Sequence, residues 1–400
     1  MWEHTFVADY PSAEPLPTPF STVGLFAGIG GLELGFQQAG GEAKLLCEVW
    51  PAAQAVLRER FPGVSVHGDI VTLDELPPAD VIAAGFPCTD LSQAGRTAGI
   101  HGTQSGLVSN LFRLLDRAEP HWVVVENVRN MLVLDRGKAM SYLVERLEQL
   151  GFRWAYRLVD SRFTGVPQRR QRVLLVASRS DDPRRVLFAD DAGEPGDEWF
   201  CGDAYGFYWT EGLGGLGWAK DAIPTLKGGS TIGIPSPPAI WIRDEAPGRA
   251  ILTPGIADAE RLQGFPVDWT LPAQEFGRAG DRWKLTGNAV TVGVANWVAG
   301  RLVAPGDVSR APGTELPAEA RWPTAAWGGQ GRRWQIPVSL WPVRMPYRHL
   351  LDTVDRDALT PLSRRAAAGF AGRMERSTLR FDEAFRVAIK QHVEAVTVAG

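Results

Sequence analysis

The chain has 400 residues and a formal net charge of −4; 44% of its residues are apolar and 22% are charged. This length and composition are ordinary for a soluble globular protein of two or three domains. Three widely spaced cysteines exclude a disulfide framework and a zinc site, so we expect no bound metal and a reducing cytoplasm. The first 20 residues lack the basic and apolar regions of a signal peptide, and no apolar run is long enough to span a membrane.

Strand and helix patterns alternate along the first part of the chain. The strand candidate TVGLFA is followed by a glycine turn and an amphipathic helix, and EAKLLCEV is followed by a helix that begins with proline. Further strand candidates are DVIAAGFP, HWVVVENV, WAYRLVDS and RRVLLVAS. This alternation predicts an α/β fold with a doubly wound, mainly parallel sheet.

The composition changes near residue 183. From there to about residue 255 the chain is rich in Gly, Pro and aromatic residues, which predicts an irregular, loop-rich second domain. Helical patterns resume later, and residues 350–397 form a pattern of helices with basic faces. Residues 321–400 hold 13 Lys and Arg against 7 Asp and Glu. This basic tail can contact phosphates, but we favour a solvated helical cover or a docking surface for a partner.

The segment FAGIGGLELGF combines a strand end, a glycine turn and the start of a helix. Gly28 and Gly30 let a nucleotide-like ligand approach the backbone, and the helix start supplies free amide groups. Glu48 after the second strand suits ribose hydroxyls, and Asp69 follows the third strand. Each feature alone is more often structural, because glycine is frequent in tight turns and loop carboxylates are usually solvated.

A cysteine follows a proline in GFPCTDLSQAG. Taken alone, Cys88 is most simply a small buried side chain, the commonest role of free cysteine, and a nucleophile is the alternative. Other polar residues also have ordinary interpretations. Glu126 of ENV can form an ion pair, the arginines of QRRQR can line a solvated basic edge, and Asn288 can cap the apolar helix that follows it.

Together these segments occur in a specific order, namely FAGIGG, a glutamate after the second strand, GDI, GFPC, ENV, QRRQR, RLQGFP and GNAV. In this order they resemble the cytosine-C5 DNA methyltransferase family over about residues 21–303. The resemblance implies a Rossmann-like, S-adenosylmethionine-dependent methyltransferase fold with a smaller, loop-rich target-recognition domain. The expected parts are a loose lead-in (1–20), a catalytic domain (21–180), a target-recognition domain (181–255), a return to the catalytic domain (256–303) and a helical C-terminal extension of unassigned role (304–400).

The resemblance also implies the roles of individual residues. In the S-adenosylmethionine site, Glu48 would contact the ribose and Asp69 the adenine amino group. Cys88 would be the nucleophile and Glu126 would hold the target base. Arg170 and Arg172 would brace the catalytic loop and the base. The other residues of the cofactor site would be Phe26, Gly28, Gly30, Leu32, Asn288 and Val290.

The chemistry of this family explains these residue types. Cytosine C5 is a poor nucleophile, but addition of a thiolate at C6 turns the ring into an enamine that can take up a methyl group at C5. Glu126 can protonate or hydrogen-bond N3 and accept from N4, and Arg172 can donate to O2. Loss of the C5 proton then releases Cys88. The target base has to leave the duplex for this reaction, so base flipping is expected.

The chain departs from the family pattern around the cysteine and in GNAV. Phe86 precedes Pro87 where another proline is usual, and Thr89 and Leu91 replace the Gln and Phe of the usual Gln-x-Phe-Ser. Ala289 stands where serine is common. These changes leave the expected nucleophile and its proline in place.

The segment IPTLKGGSTIG resembles a recognition loop, because a Thr-Leu pair is followed by a polar, glycine-rich turn. A second candidate loop is FYWTEGLGG. The alternative is a set of ordinary Gly-rich turns. The residues expected near DNA are Thr225, Lys227, Gly228, Gly229, Ser230 and Thr231.

The sequence therefore predicts an S-adenosylmethionine-dependent DNA (cytosine-5)-methyltransferase of bacterial or phage type. It is expected to act on a specific site in double-stranded DNA, in restriction-modification or a related defence system. We expect a cytoplasmic monomer without membrane contacts, with cognate restriction or defence proteins as further partners. The alternatives are a tRNA cytosine-5 methyltransferase, although its Cys-Phe-Thr signature is not found here, and a non-catalytic base-flipping DNA-binding regulator.

Overall fold

The computed structural model describes residues 15–86, 106–228, 237–278, 280–308, 313–317 and 319–396. The chain forms two compact units. The first unit comprises Met1–Asp160, Gln171–Glu194 and Val290–Arg344, and the second comprises Ser161–Arg170, Pro195–Ala289 and Met345–Gly400.

The strands and helices are numbered along the chain. In the described residues the strands are β1 (Phe20–Leu25), β2 (Gly41–Cys47), β3 (Ser65–His67), β4 (Val81–Ala84), β5 (Trp122–Val128), β6 (Arg153–Asp160), β7 (Gln168–Arg169), β8 (Gln171–Ser178), β9 (Ala204–Phe207), β10 (Ala219–Lys220), β11 (Ile223–Pro224), β12 (Ala239–Ile242), β13 (Ile251–Thr253), β14 (Thr314–Glu315), β15 (Ala325–Gly329), β16 (Arg332–Gln335) and β17 (Thr360–Pro361). The α-helices are α1 (Gly31–Gln38), α2 (Pro51–Arg60), α3 (Leu107–Arg117), α4 (Lys138–Gln149), α5 (Arg184–Leu187), α6 (Ile256–Leu262), α7 (Asp281–Asn288), α8 (Val292–Val303), α9 (Leu350–Thr353), α10 (Arg364–Glu375) and α11 (Glu383–Ala395). None of the helices in these ranges is long and apolar enough to cross a bilayer.

The first unit is a mixed α/β structure with a large central sheet. Ten described strands form this sheet in the order β14-β16-β15-β6-β8-β5-β4-β1-β2-β3. The run β5-β4-β1-β2-β3 is parallel. All residues of β4 and most residues of β5 are buried, as expected where helices cover both faces of a parallel sheet. Helices α1 and α8 approach closely at Gly35, where a methyl group would lie 2.4 Å from the Cβ of Ala295.

The strand direction changes at β8. This strand pairs antiparallel with β5 on one side and with β6 on the other. A short connection explains the reversal, because residues 161–170 leave too little chain between β6 and β8 for a helical crossover to a parallel strand. The sequence pattern predicted both strands but did not predict that their directions are opposite.

The second unit contains two small sheets in its described residues. One has the order β10-β9-β12-β13-β17 and is antiparallel, and the other pairs β7 with β11. Helices α10 and α11 cover the larger sheet. Their contacts are mainly aromatic, since Phe370 and Phe385 lie against Phe207 with ring centroids 5.0 and 4.9 Å away.

The residues after 304 contribute to both units. Strand β15 pairs with β6 and, together with β16 and β14, extends the sheet of the first unit. Residues 345–400 belong to the second unit, where β17 pairs with β13. The segment predicted as a helical extension therefore also supplies strands, and its helices form part of the second unit.

Candidate active site

The parallel strands of the first unit end at one edge of the sheet, and several predicted site residues follow them. Phe26 follows β1, Glu48 follows β2, Asp69 comes shortly after β3, Gly85 follows β4, and Glu126 lies near the end of β5. In open α/β sheets, ligands bind at the carboxyl ends of the strands. The sequence order of the motifs thus becomes a spatial cluster at this edge.

The glycine turn after β1 has left-handed backbone at alternate residues. The φ angles are 56° at Phe26, 56° at Gly28 and 82° at Gly30. Among the described residues, a side chain at Gly28 would meet no atom within 4 Å, whereas a methyl group at Gly30 would lie 2.3 Å from the ring of Phe61. No described residue therefore fills the space beside Gly28, and Phe61 fills the space beside Gly30. Leu32, also predicted for the cofactor site, is buried at the start of α1.

The carboxylate of Glu48 is held by backbone amides. Its two oxygens accept hydrogen bonds from the amides of Gly28 and Trp50, both at 2.8 Å. Burial raises the pKa of Glu48, and these amide hydrogen bonds counteract part of that effect. Asp69 is half-buried and accepts from the amide of Val71 at 2.9 Å. Two carboxylates thus stand at adjacent strand ends in fixed orientations.

Glu126, near the end of β5, forms an ion pair with Arg172, near the start of β8. The Nε of Arg172 lies 2.9 Å from Oε1 of Glu126, and both side chains are almost completely buried. The other carboxylate oxygen faces β4, because a methyl group on Gly85 would lie 3.9 Å from Oε2. Glu126 is therefore fixed beside the residues that begin the GFPC motif.

The neighbouring residue of ENV fixes the same motif. The Nδ2 of Asn127 donates to the carbonyl of Phe86 at 3.1 Å, and both residues are buried. Cys88 and Pro87 lie outside the described residues. The sequence pattern predicted no role for Asn127, although this residue belongs to the ENV motif and directly follows the predicted catalytic glutamate.

Arg170 lies in the second unit and has a different environment from Arg172. Its buried guanidinium donates to the carbonyls of Leu226 at 3.3 Å, Gly287 at 3.1 Å and Ala289 at 2.7 Å. It thereby joins the TLKGG segment to the GNAV segment. Arg172, in the first unit, is the arginine of QRRQR that pairs with Glu126.

The GNAV residues belong to different units: residues 287–289 are part of the second unit, and Val290 is part of the first. Asn288 ends α7, and its Oδ1 would lie 2.7 Å from a methyl group on Gly228. Thr291 is the N-cap of α8, so the interpretation of Asn288 as that cap is wrong. Val290 is buried in the first unit, and its Cγ2 would lie 4.0 Å from a methyl group on Gly85.

The described part of the TLKGG segment is held by hydrogen bonds and an ion pair. The Oγ1 of Thr225 donates to the carbonyl of Arg169 at 3.0 Å, and Lys227 pairs with Glu211 of the second candidate loop. Gly229, Ser230 and Thr231 lie outside the described residues.

A buried pair of glutamines beneath this segment was missed by sequence analysis. The Nε2 of Gln168 donates to Oε1 of Gln263 at 3.0 Å, and its Oε1 accepts from the amide of Leu226 at 2.9 Å. Gln263 in turn donates to the carbonyl of Thr286 at 2.9 Å. Gln168 lies in the motif QRRQR and Gln263 in RLQGFP. Their positions in these motifs were the sequence feature that could have indicated a shared role.

The two other cysteines have environments that do not favour a thiolate. Burial raises the pKa of Cys47, inside β2, to about 12. The pKa of Cys201 is also raised, first by desolvation and then by its contact with Asp203. Neither thiol therefore has the lowered pKa that a nucleophilic cysteine needs.

Comparisons with known proteins show which family the sequence matches. The family model for C-5 cytosine-specific DNA methylase matches residues 20–194. Type II methyltransferase M2.BsuMI of Bacillus subtilis is 48% identical over 369 residues, which cover 89% of this chain and 93% of that protein. The chain belongs to the C-5 cytosine-specific DNA methylase family. Type II methyltransferase M.SsoII of Shigella sonnei is 28% identical, over 74% of this chain and 84% of that protein.

Solved methyltransferase structures show that the fold is shared. The S. pombe Dnmt2 methyltransferase has a TM-score of 0.52 and 15% identity, and the match covers 71% of this chain and 98% of that one. The prediction of a DNA (cytosine-5)-methyltransferase is confirmed, and the sequence comparisons support it over the tRNA methyltransferase and the non-catalytic regulator.

Proposed function

We propose that this family member methylates C5 of a flipped cytosine within a specific duplex site, using S-adenosylmethionine and a covalent bond between Cys88 and C6. The modification would serve a type II restriction-modification system. The observation that carries the mechanism is the Glu126–Arg172 ion pair beside Gly85, at the start of the segment that contains Cys88. It supports a site in which a carboxylate is fixed before the base arrives.

The first unit offers a fitting site for the cofactor. The open space beside Gly28, with left-handed backbone, would let the ligand approach the turn, and the ring of Phe26 stands next to it in T-shaped contact with Phe86 at 6.0 Å. Glu48 would accept from ribose hydroxyls and Asp69 from the adenine amino group. When bound, S-adenosylmethionine would supply an electrophilic methyl group. Gly30, Leu32, Asn288 and Val290 remain further predicted contacts.

Two residues of the chain would act on the base directly, and a third would hold one of them in place. The Cys88 thiolate would add to C6, which moves electron density onto C5, and Glu126 would hold a proton at N3 while accepting from N4. Arg172 would keep the carboxylate in place. After C5 is methylated, a base would remove the C5 proton and the electron pair would re-form the C5–C6 double bond as the Cys88 sulfur departs. Arg170 would act indirectly, by fixing the TLKGG segment to the GNAV segment.

The second unit would recognise the DNA site. Thr225, Lys227 and Gly228 lie in one segment, which continues through Gly229, Ser230 and Thr231. The proposed fold is thus a Rossmann-like catalytic part and a target-recognition part. A cognate restriction enzyme is the expected partner, and the protein is expected to act in the cytoplasm as a monomer.

A covalent trap tests this mechanism. A duplex in which 5-fluorocytosine replaces the target base should form an adduct that survives denaturation, because the fluorine at C5 cannot leave as a proton does. Bisulfite sequencing of DNA from cells that carry the gene identifies the duplex to use. Cys88→Ala should form no adduct and transfer no methyl group. Methyl transfer at the normal rate by Cys88→Ala would disprove the covalent route, and labelling of tRNA without labelling of any duplex DNA would disprove the function.

A further inference from the structure

Two loops of the second unit bring together an acidic and a basic side chain. Glu211, in the loop after β9, forms an ion pair with Lys227, which follows β11. Their side chains keep 40% and 48% of their surface exposed, so both charged groups can reach a ligand. The Nζ of Lys227 also lies 3.7 Å from the centroid of the Tyr208 ring, and this cation–π contact stabilises the ammonium charge.

The two loops are fixed relative to each other by hydrogen bonds. The hydroxyl of Tyr208 donates to the carbonyl of Thr225 at 2.7 Å, and the amide of Glu211 donates to the carbonyl of Tyr208 at 3.1 Å. The carboxylate and the ammonium group are therefore presented at a defined spacing, although they come from two different loops.

Helix α10 holds the loop that carries Glu211. The guanidinium of Arg373 donates to the carbonyls of Glu211 at 2.8 Å and Trp209 at 2.6 Å, and the Oγ of Ser377 donates to the carbonyl of Leu213 at 3.1 Å. Gly212 has a φ of 118°, and a methyl group there would lie 3.1 Å from the ring of Phe370. The last part of the chain thus fixes a loop of the candidate recognition surface.

A carboxylate paired with an ammonium group matches the hydrogen-bonding groups on the major-groove edge of one base pair. In the major groove, guanine presents two acceptors that suit lysine, and cytosine presents an amino group that suits a carboxylate. A phosphate would attract Lys227 but would be repelled by Glu211. An exposed ion pair adds only about 0–1 kcal/mol to stability, so fold stability alone gives little reason for this arrangement.

We propose that Glu211 and Lys227 together read one C·G base pair of the recognition site, and that Arg373 is the positioning residue for Glu211. The inference rests on the proposed function, since it assigns DNA recognition to the second unit. It gives helix α10, which lies beyond the motif-bearing residues 21–303, a role in specificity.

The test is the methylation pattern on a library of duplexes with randomised sites, read by bisulfite sequencing. The wild-type enzyme should require C·G at the position concerned. Glu211→Ala and Lys227→Ala should each lower the preference at that single position by about tenfold or more, and leave the others unchanged. Glu245→Gln is the matched control, because Glu245 forms an exposed ion pair with Arg356 in the same unit at 3.1 Å; its pattern should equal that of the wild type.

Arg373→Ala should relax the same position as Glu211→Ala, and Arg373→Lys should restore part of the preference. A merely structural role would lower total methylation without changing the sequence pattern. An unchanged pattern in Glu211→Ala and Lys227→Ala, or a uniform loss at all sequences with a weaker salt dependence, overturns the inference while the proposed function stands. A wild-type enzyme that methylates no library duplex overturns the proposed function and this inference with it.

Discussion

Arg172 holds Glu126 from the neighbouring strand, with its Nε 2.9 Å from Oε1. The antiparallel register explains the contact: Arg172 stands opposite Val128, so Glu126 is its diagonal neighbour on the same face, within reach of a long side chain. The reversed direction of β8 therefore creates the pair. A carboxylate held in this way needs no reorientation when a base binds.

Loss of this pair should lower the chemical rate. General acid–base groups contribute about 10²–10⁴-fold, so Glu126→Gln should reduce kcat by about that factor. Arg172→Met should also reduce it, because the carboxylate loses its fixed orientation. Single-turnover methyl transfer to duplex DNA measures the effect.

The control for this prediction is Arg129→Gln. Arg129 is exposed at the end of the same strand pair and donates to Oε1 of Gln171 at 2.8 Å, without contact to Glu126. The kcat of the Arg129→Gln variant should stay close to that of the wild type. Equal rates for Arg172→Met and Arg129→Gln would show that the pair has no catalytic importance.

Two glycines of one turn should respond differently to alanine. A methyl group at Gly28 would meet none of the described residues within 4 Å, whereas at Gly30 it would lie 2.3 Å from Phe61. Both positions have left-handed backbone and share that strain of roughly 1–2 kcal/mol. Gly30→Ala should therefore lower the unfolding temperature more than Gly28→Ala, and Gly28→Ala should weaken S-adenosylmethionine binding more than its stability loss explains. Thermal unfolding and calorimetric titration separate the two effects, and the reverse ranking in unfolding would contradict the geometry.

The sequence predicted the parallel part of the sheet and the residues at its carboxyl edge for physical reasons. Apolar runs separated by amphipathic helices specify buried parallel strands, and side chains that follow such strands meet at one edge. The strand pattern alone placed Glu48 and Asp69 after the second and third strands, whereas the expected role of Glu126 came from the resemblance to the family.

Contacts between distant segments could not be predicted in the same way. The direction of β8 depends on pairing with β5 and β6, and Arg170 and Arg172 separate into different units although they are two residues apart. The pairing of β15 with β6 joins positions about 170 residues apart. Such long-range pairing leaves no local periodicity, so the place of the C-terminal part in the fold could not be predicted from the sequence.

His349 should make the stability of the second unit depend on pH. Its Nδ1 lies 2.6 Å from Oδ2 of Asp221, and that hydrogen bond raises the pKa of His349 above its ordinary value of 6.5. A raised pKa means that the stabilisation is fully present below pH 6.5 and is lost as the pH rises through the folded-state value. His349→Gln should therefore reduce the fall in unfolding midpoint above pH 6.5. Parallel wild-type and variant curves from pH 6 to 9 would contradict this assignment.

Glu33 should oppose folding at neutral and higher pH. Its carboxyl lies buried over Gly24, where a methyl group would come within 2.0 Å of Oε1, and neither oxygen accepts a hydrogen bond from another of the described residues. Burial, with a smaller effect of Glu48, raises the pKa of Glu33 to about 7 from 4.5.

Because the folded state then holds a proton that the unfolded state releases, stability falls as the pH rises from 4.5 to about 7 and is level above that. Over this pH range the ionisation of Glu33 lowers the free energy of unfolding by about 3 kcal/mol. Glu33→Gln should therefore be more stable than the wild type at pH 8 and differ less at pH 5, as measured by urea unfolding. The control is Glu42→Gln, since Glu42 is exposed and forms an exposed ion pair with Lys44. The same difference between wild type and Glu33→Gln at both pH values would show that the buried carboxyl does not titrate in this range.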